Sequence, residues 1–199
     1  MDCTANPNEC GGTGGCGGGT AELAFDMMVQ YGGLAQEWTY PYISYFGQNQ
    51  TCQITNGSQI VPFANISGHV KLDTNSYESL MQAISSVGPV AVSVEAYTWA
   101  SYESGVFDGC NKTNPDLDHA VQLVGYGTDP ELGDYWLIRN SWSPAWGENG
   151  YIRIKKQGAN ASCGMDLNPQ DGSACKNETS PIKVCGTCGI LYDNSYPLL

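Results

Sequence analysis

The apolar positions of this chain follow a helical period near its start and a strand period further on. A helix is predicted between Thr20 and Gly32, where alanine, leucine, phenylalanine and methionine recur at helical spacing. A second helix is predicted from Ser76 to Val87. Apolar and polar residues then alternate as in strands over residues 89–95, 119–126, 135–140 and 150–156. A partly helical piece followed by strands predicts an α+β fold.

The charge of the chain restricts the partners that it can have. The 199 residues carry a formal net charge of −12. Nucleic-acid binding requires a basic surface, so we expect no nucleic-acid partner. No apolar run approaches the length of about 18 residues that suggests a membrane span, so we expect no membrane association. We further expect a monomer that uses no cofactor and no metal.

The cysteines and asparagines indicate an oxidising compartment. Nine cysteines are many for a chain of this length, and disulfides persist outside the cytosol. Six asparagines are followed two positions later by Ser or Thr, as glycosylation requires: Asn49, Asn56, Asn65, Asn111, Asn160 and Asn177. These features predict a secreted or a lysosomal or vacuolar protein. No signal peptide precedes Met1, which leads us to expect that an N-terminal segment is missing.

Two short segments carry the residues that say most about chemistry. Residues 118–127 read Asp-His-Ala-Val-Gln-Leu-Val-Gly-Tyr-Gly, and residues 135–142 read Tyr-Trp-Leu-Ile-Arg-Asn-Ser-Trp. They place His119 at the start of one predicted strand and Asn140 at the end of the next, so that a short hairpin brings the two side chains together. An amide that binds one imidazole nitrogen leaves the other free to face a nucleophile. This is the base and orienting half of a catalytic triad.

These segments resemble the His and Asn segments of papain-like cysteine peptidases, in particular those of the cathepsin L kind. Further segments match the family in its order: Cys16–Gly19, Thr39–Tyr42, Gly88–Val90, Tyr102–Phe107 and Gly147–Tyr151. The resemblance implies a papain-like two-lobed fold. Residues 1–65 would be the remnant of an incomplete left helical lobe. Residues 66–199 would be a right, antiparallel β-barrel-like lobe that carries the histidine and the asparagine.

The resemblance also implies roles for individual side chains. His119 would be the general base, Asn140 would orient it, and Trp142 would shield their hydrogen bond from water. Trp146 would form an apolar wall on the leaving-group side. Without the surrounding motif, His119 could be read as a core histidine satisfied by backbone. His69 has no such motif, and we expect it at the surface or at a strand edge.

Four further residues are candidates for substrate binding. Gly18 and Gly19 fall where the family pairs its backbone with an extended peptide, and the lack of Cβ atoms allows that close approach. Asp118 directly precedes the histidine. Asp193 aligns with the floor of the pocket for the second residue before the scissile bond, where a buried carboxylate would favour Arg or Lys. A solvated surface aspartate is the other interpretation of Asp193.

The nucleophile of the family has no counterpart among these residues. It lies about 130–150 residues before the histidine in a Cys-Gly-Ser-Cys-Trp-like motif, and counting back from His119 leads to a position before residue 1. We therefore expect this chain alone to be inactive, as a truncated sequence or a proteolytic fragment of an endopeptidase. The second hypothesis is a catalytically dead homologue that binds peptides or proteins. A third is an unrelated disulfide-rich secreted module.

The resemblance implies two disulfides, Cys3–Cys52 and Cys110–Cys188, and leaves Cys16 without its partner. The remaining cysteines, Cys10, Cys163, Cys175 and Cys185, have no counterpart in the family and are enough for two more bridges. Cys185 and Cys188 also fit a zinc or redox Cys-x-x-Cys motif, but a second closely spaced pair of ligands is lacking. By resemblance, the partners are a peptide or protein substrate and a prosegment or cystatin-like inhibitor.

Overall fold

The computed structural model describes residues 1–54 and 60–199, so that the sequon at Asn56 lies outside the described residues. The two α-helices are α1 (Ala21–Tyr31) and α2 (Tyr77–Ser86). The strands are β1 (Gly68–Lys71), β2 (Val90–Val94), β3 (Val106–Phe107), β4 (His119–Asp129), β5 (Gly133–Arg139), β6 (Tyr151–Lys155), β7 (Cys163–Asp166), β8 (Ile182–Cys185) and β9 (Asn194–Leu198).

Both predicted helices are confirmed, and their ends have local causes. Helix α1 ends at Gly32, whose φ of 76° lies in the left-handed region that glycine adopts most readily. Helix α2 begins after Ser76, whose hydroxyl oxygen accepts a hydrogen bond from the Ser79 backbone N–H at 3.1 Å. On its inner face Leu80 and Ala83 are buried. Capping and an apolar stripe therefore fix α2 against the sheet.

Seven strands form one sheet in the order β1-β9-β2-β4-β5-β6-β3. Neighbouring strands are antiparallel except at one edge, where β3 runs parallel to β6. The expected antiparallel lobe is thus a mixed sheet, because the two-residue strand β3 follows a short 3₁₀ turn and not a hairpin. The four strands predicted by alternation correspond to β2, β4, β5 and β6. The sequence analysis missed the other five strands of the described residues, and of these β7 and β8 form a separate two-stranded sheet.

The core lies against the central strands of the large sheet. Trp136, Leu123 and Ile138 are at most 1 % exposed, and each aliphatic side chain buried in this way contributes about 1.5–3 kcal/mol. Leu80 of α2 belongs to the same cluster. Strands β4 and β5 therefore have a well-packed inner face. The division into lobes at residues 65 and 66 stays a prediction.

Four disulfides cross-link the chain. Cys3–Cys52 and Cys110–Cys188 are the pairs that the resemblance implies. The other two bridges are Cys10–Cys175 and Cys163–Cys185. Cys185 and Cys188 thus belong to different disulfides, and their thiolates are not available to a metal. In the described part of the chain, no helix has both the length and the apolar character that a membrane crossing needs.

Candidate active site

His119 and Asn140 lie side by side at one end of the β4–β5 hairpin. The histidine is the first residue of β4, and the asparagine directly follows β5. His119 Nε2 lies 2.9 Å from Asn140 Oδ1. The same oxygen accepts a hydrogen bond from the Ser141 backbone N–H at 2.7 Å. Because a carboxamide oxygen only accepts, Nε2 carries the proton in this pair, and Nδ1 of the neutral ring keeps its lone pair.

Two indole rings contact the imidazole, and a third packs against both of them. Trp142 stacks on His119, with ring centroids 5.1 Å apart and an interplanar angle of 27°. Trp99 meets the imidazole edge to face at 6.4 Å and is fully buried. Trp146 stacks on Trp99 and donates from its indole nitrogen to the Trp99 carbonyl at 3.2 Å. These rings limit the access of water to the His119–Asn140 bond, which strengthens it.

The backbone of the turn between Trp142 and Trp146 is strained at one position. Ser143 has a φ of 96°, in the region that favours glycine. The resemblance to papain-like peptidases implies glycine at the position after Trp142. The turn is closed by a hydrogen bond from the Trp146 N–H to the Ser143 carbonyl and by one from the Ala145 N–H to the Ser143 hydroxyl. The structure therefore accommodates serine at the cost of backbone strain.

Gly18, Gly19, Asp118 and His119 line one cavity of about 320 Å³, which we call the histidine cavity. Gly18 has a φ of 96°, and a Cβ atom there would lie 2.5 Å from the Gly11 carbonyl oxygen. This position therefore requires glycine. Asp118 is bound through Oδ1 by the Ala96 N–H at 2.7 Å, which fixes the segment that leads into His119.

Asp193 is buried, so the interpretation as a solvated surface residue is wrong. It is 7 % exposed and lines a second cavity of about 550 Å³. Both of its oxygens are occupied: Lys71 Nζ lies 2.7 Å from Oδ1, and the Ser93 hydroxyl donates to Oδ2 at 2.7 Å. Burial lowers the pKa of Lys71, but the hydrogen bond and charge of Asp193, with the charge of Glu22, outweigh this and raise it. The chain thus supplies its own cation to Asp193.

Cys16 is the free cysteine and is exposed in the histidine cavity. The four disulfides take up the other eight cysteines. Within residues 1–54 and 60–199, no hydrogen bond joins a thiol to His119. The other histidine, His69, lies in the edge strand β1 with Nδ1 3.4 Å from an Asp26 oxygen, which agrees with its expected place.

Sequence reasoning missed two carboxyl groups next to this site and one of its indoles. Burial raises the pKa of Glu95 to about 7, and the charges of Asp118 and Asp116 add to the effect. Burial likewise raises the pKa of Asp116 to about 6, supported by three neighbouring aspartates. Trp99 lies in the 3₁₀ turn Tyr97–Ser101, where no motif marked it. A large apolar side chain between two predicted strands was the one available signal.

Comparisons with known proteins agree with this geometry. A sequence model described as papain family cysteine protease matches residues 1–171. Vignain of Ricinus communis is 34 % identical over 200 residues, covering 100 % of this chain and 46 % of that protein. A cathepsin L-like protein of Caenorhabditis elegans is 36 % identical over 156 residues, covering 77 % of this chain and 44 % of that protein. The chain thus spans about half the length of these relatives.

Solved structures show the same fold. Bromelain protease from Ananas comosus in complex with the E64 inhibitor aligns with a TM-score of 0.70 and 33 % identity, covering 96 % of this chain and 74 % of that one. Digestive procathepsin L 3 of the Tenebrio molitor larval midgut aligns with a TM-score of 0.68 and 33 % identity, covering 92 % of this chain and 50 % of that one. On its sequence and its fold, the chain belongs to the papain family of cysteine proteases.

Proposed function

We propose that this chain provides the peptide-binding groove and the general base of a papain-like cysteine endopeptidase. The observation that supports this most directly is the His119–Asn140 hydrogen bond beneath Trp142, which leaves Nδ1 as the free nitrogen. A base held by a third group in this way is the arrangement that activates a weak nucleophile.

In the proposed reaction, Nδ1 of His119 takes the proton of a cysteine thiol that these 199 residues do not supply. The resulting thiolate attacks the substrate carbonyl carbon, and the imidazolium keeps its Nε2–H bond to the Asn140 oxygen. His119 then gives its proton to the leaving amine as the carbon–nitrogen bond breaks. Water, deprotonated by the same nitrogen, releases the acyl group and regenerates the thiol. The neutral Asn140 orients the ring without adding a charge.

By itself the 199-residue chain is proposed to be inactive toward peptide bonds. Eight of its cysteines are held in disulfides, and the Cys16 thiol makes no hydrogen bond to His119 among the described residues. Losing one oxyanion donor alone costs about 10²–10³ in rate, and a nucleophile more. A second candidate function is therefore peptide or protein binding without catalysis, which the combination of a formed groove and an unengaged base favours.

The groove also supports a proposal about partners and location. Gly18 and Gly19 on one side and His119 on the other leave space for an extended peptide, from a substrate, a prosegment or a cystatin-like inhibitor. Four disulfides require an oxidising compartment, so we place the protein in the secretory route or in a lysosome or vacuole. We propose that it is monomeric.

Nuclear magnetic resonance of the imidazole groups tests the binding half of this proposal. The chain has two histidines, so that in the variant His69→Ala every imidazole signal comes from His119. This variant assigns the signals and serves as the control. We expect short peptides to shift the His119 ring resonances and to leave those of His69 unchanged. Peptides that move neither histidine at millimolar concentration would contradict the proposed groove.

An activity measurement tests the catalytic half. We expect the purified chain to release no fluorophore from a peptidyl-amide reporter. Hydrolysis that is abolished by a thiol alkylator and by Cys16→Ser would show instead that Cys16 serves as the nucleophile and that the chain is active alone.

A further inference from the structure

A segment between β7 and β8 borders the histidine cavity and contacts both of its walls. We call residues 167–180 the strap. Its residues 170–173 line the histidine cavity together with His119 and Gly18. The match to the papain family ends at residue 171, so most of the strap lies beyond it.

One part of the strap packs against the residues that lead into His119. A Cβ atom on Gly172 would lie 2.6 Å from Asp116 Oδ1 and 2.7 Å from the Leu117 carbonyl oxygen. The strap backbone thus lies so close to residues 116 and 117 that a side chain at position 172 would clash with them. Since Ser173 lines both cavities, the strap also borders the Lys71–Asp193 pair.

The next part of the strap is fixed to the glycine-rich loop of residues 10–19, part of which lines the histidine cavity. Cys175 forms the disulfide with Cys10, across a sequence separation of 165 residues. Two backbone hydrogen bonds flank this bridge, from the Gly11 N–H to the Ala174 carbonyl at 3.1 Å and from the Lys176 N–H to the Asn8 carbonyl at 3.0 Å. The glycine-rich loop leads directly to Gly18 and Gly19. The strap therefore joins the wall with the glycines to the wall with the histidine by a covalent bond.

The strap bounds the groove on one side. The histidine cavity, of about 320 Å³, counts residues 170–173 of the strap among its lining. In the proposed function, Gly18, Gly19 and Asp193 contact residues that precede the scissile bond. The strap thus closes the groove on that side, whereas Trp142 and Trp146 are not among the residues that line this cavity.

The negative charge of the histidine cavity suits the positively charged N-terminus of a peptide. Its lining includes the carboxylates of Asp118 and Asp171 and, among the described residues, no lysine or arginine. Asp118 already binds a backbone N–H. The exposed Asp171 carboxylate accepts no hydrogen bond within residues 1–54 and 60–199. It is thus available to pair with the α-ammonium group of a peptide whose N-terminus lies against the strap.

We infer that the strap restricts this site to substrates with a free N-terminus, which lies against the strap and a short way before the scissile bond. The inference rests on the groove and the general base of the proposed function, and it replaces the endopeptidase cleavage proposed there by exopeptidase cleavage near a free N-terminus. The disulfide Cys10–Cys175 sets the limit on length, and Asp171 recognises the ammonium group.

Binding to the unmodified 199-residue chain tests the inference without requiring catalysis. The probes are Ala-Ala-Ala amide, its N-acetylated form, and the same sequence extended by four N-terminal alanines. Affinity is measured by calorimetry, and contact with the site by the His119 ring resonances. We expect the free tripeptide to bind about 3- to 5-fold more tightly than the acetylated one, which corresponds to the upper range for an exposed ion pair. We expect the extended peptide not to shift His119.

Two variants separate the contributions of charge and closure. Asp171→Asn is expected to remove the preference for the free tripeptide, whereas the matched change at the exposed Asp26, Asp26→Asn, is expected to keep it. The double variant Cys10→Ser/Cys175→Ser is expected to admit the acetylated and extended peptides. Because that variant can fail to fold, the comparison of the three peptides on the unmodified chain decides the question by itself.

Each outcome has a defined meaning. Equal affinities and equal His119 shifts for all three peptides would overturn the inference and leave the proposed groove intact. Failure of every peptide to bind or to shift His119 would overturn the proposed function along with it.

Discussion

Replacing Glu95 by glutamine is expected to change how the stability of the fold depends on pH. The Glu95 side chain is 5 % exposed and lies at the end of β2, close to the segment that leads into His119. One oxygen accepts a hydrogen bond from the Asn111 N–H at 2.8 Å. Glutamine retains an acceptor for this bond but cannot ionise. The substitution thus removes the charge and preserves the geometry.

The size and sign of the effect follow from the pKa of Glu95. Burial raises this pKa from the ordinary value of 4.5 to about 7, so between these values the folded chain holds a proton that the unfolded chain has released. Stability therefore falls as the pH rises from about 4.5 to 7 and levels off above that range. At about 1.4 kcal/mol per pH unit the upper bound is about 3 kcal/mol. Relaxation and water around the charged carboxylate reduce the expected value to about 2 kcal/mol.

Chemical denaturation with the disulfides intact measures this effect. At pH 8 we expect Glu95→Gln to be more stable than the parent chain by about 2 kcal/mol, and at pH 4 to be equal to it. The matched change at the exposed Glu131, Glu131→Gln, should give no difference at either pH. Some pH dependence should persist in Glu95→Gln because burial also raises the pKa of Asp116 to about 6. An equal difference from the parent at pH 4 and pH 8 would refute the reasoning.

Three further predictions concern single side chains of the site. Lys71→Met is expected to destabilise the fold by about 1–2 kcal/mol at pH 7, because it leaves the buried Asp193 without its cation. This magnitude lies between those of exposed and of buried ion pairs, and a urea titration measures it. Lys112→Met removes the cation of an exposed pair and should destabilise the fold less. Ser143→Gly should be more stable than Ser143→Ala by about 1 kcal/mol, because the φ of 96° disfavours a Cβ atom; equal melting temperatures would contradict this. Asn140→Ala should let the neutral His119 ring populate both tautomers, which imidazole ¹⁵N shifts detect; a ring that stays protonated on Nε2 alone would show that Asn140 does not fix it.

The sequence predicted the regular elements whose apolar period is long enough to read. Helix α2 and strands β2, β4 and β5 each have five or more residues and a buried face that recurs at the expected spacing. Strands β7 and β8 have four residues each, and they pair with each other where the Cys163–Cys185 disulfide joins them. Their pairing depends on a contact between distant residues, which a local pattern does not reveal.

The same distinction applies to the site. His119 and Asn140 could be predicted as neighbours because one hairpin connects them, so that local pairing fixes their distance. The contact of Lys71 with Asp193 joins residues from β1 and the start of β9, whose adjacency is set by the order of the whole sheet. Trp99 reaches the imidazole from a turn 20 positions earlier in the chain. Such contacts depend on tertiary packing and have no sequence motif.

The bridge between Cys10 and Cys175 makes most of the backbone a covalent ring. A single cut in a peptide bond between these two positions opens the ring but releases no fragment. The disulfides Cys3–Cys52 and Cys110–Cys188 form two further rings, which overlap the first ring and extend it to residues 3 and 188. A single cut in any peptide bond from residue 3 to residue 188 therefore releases no fragment. In surroundings rich in proteases, a nicked molecule of this kind remains one molecule.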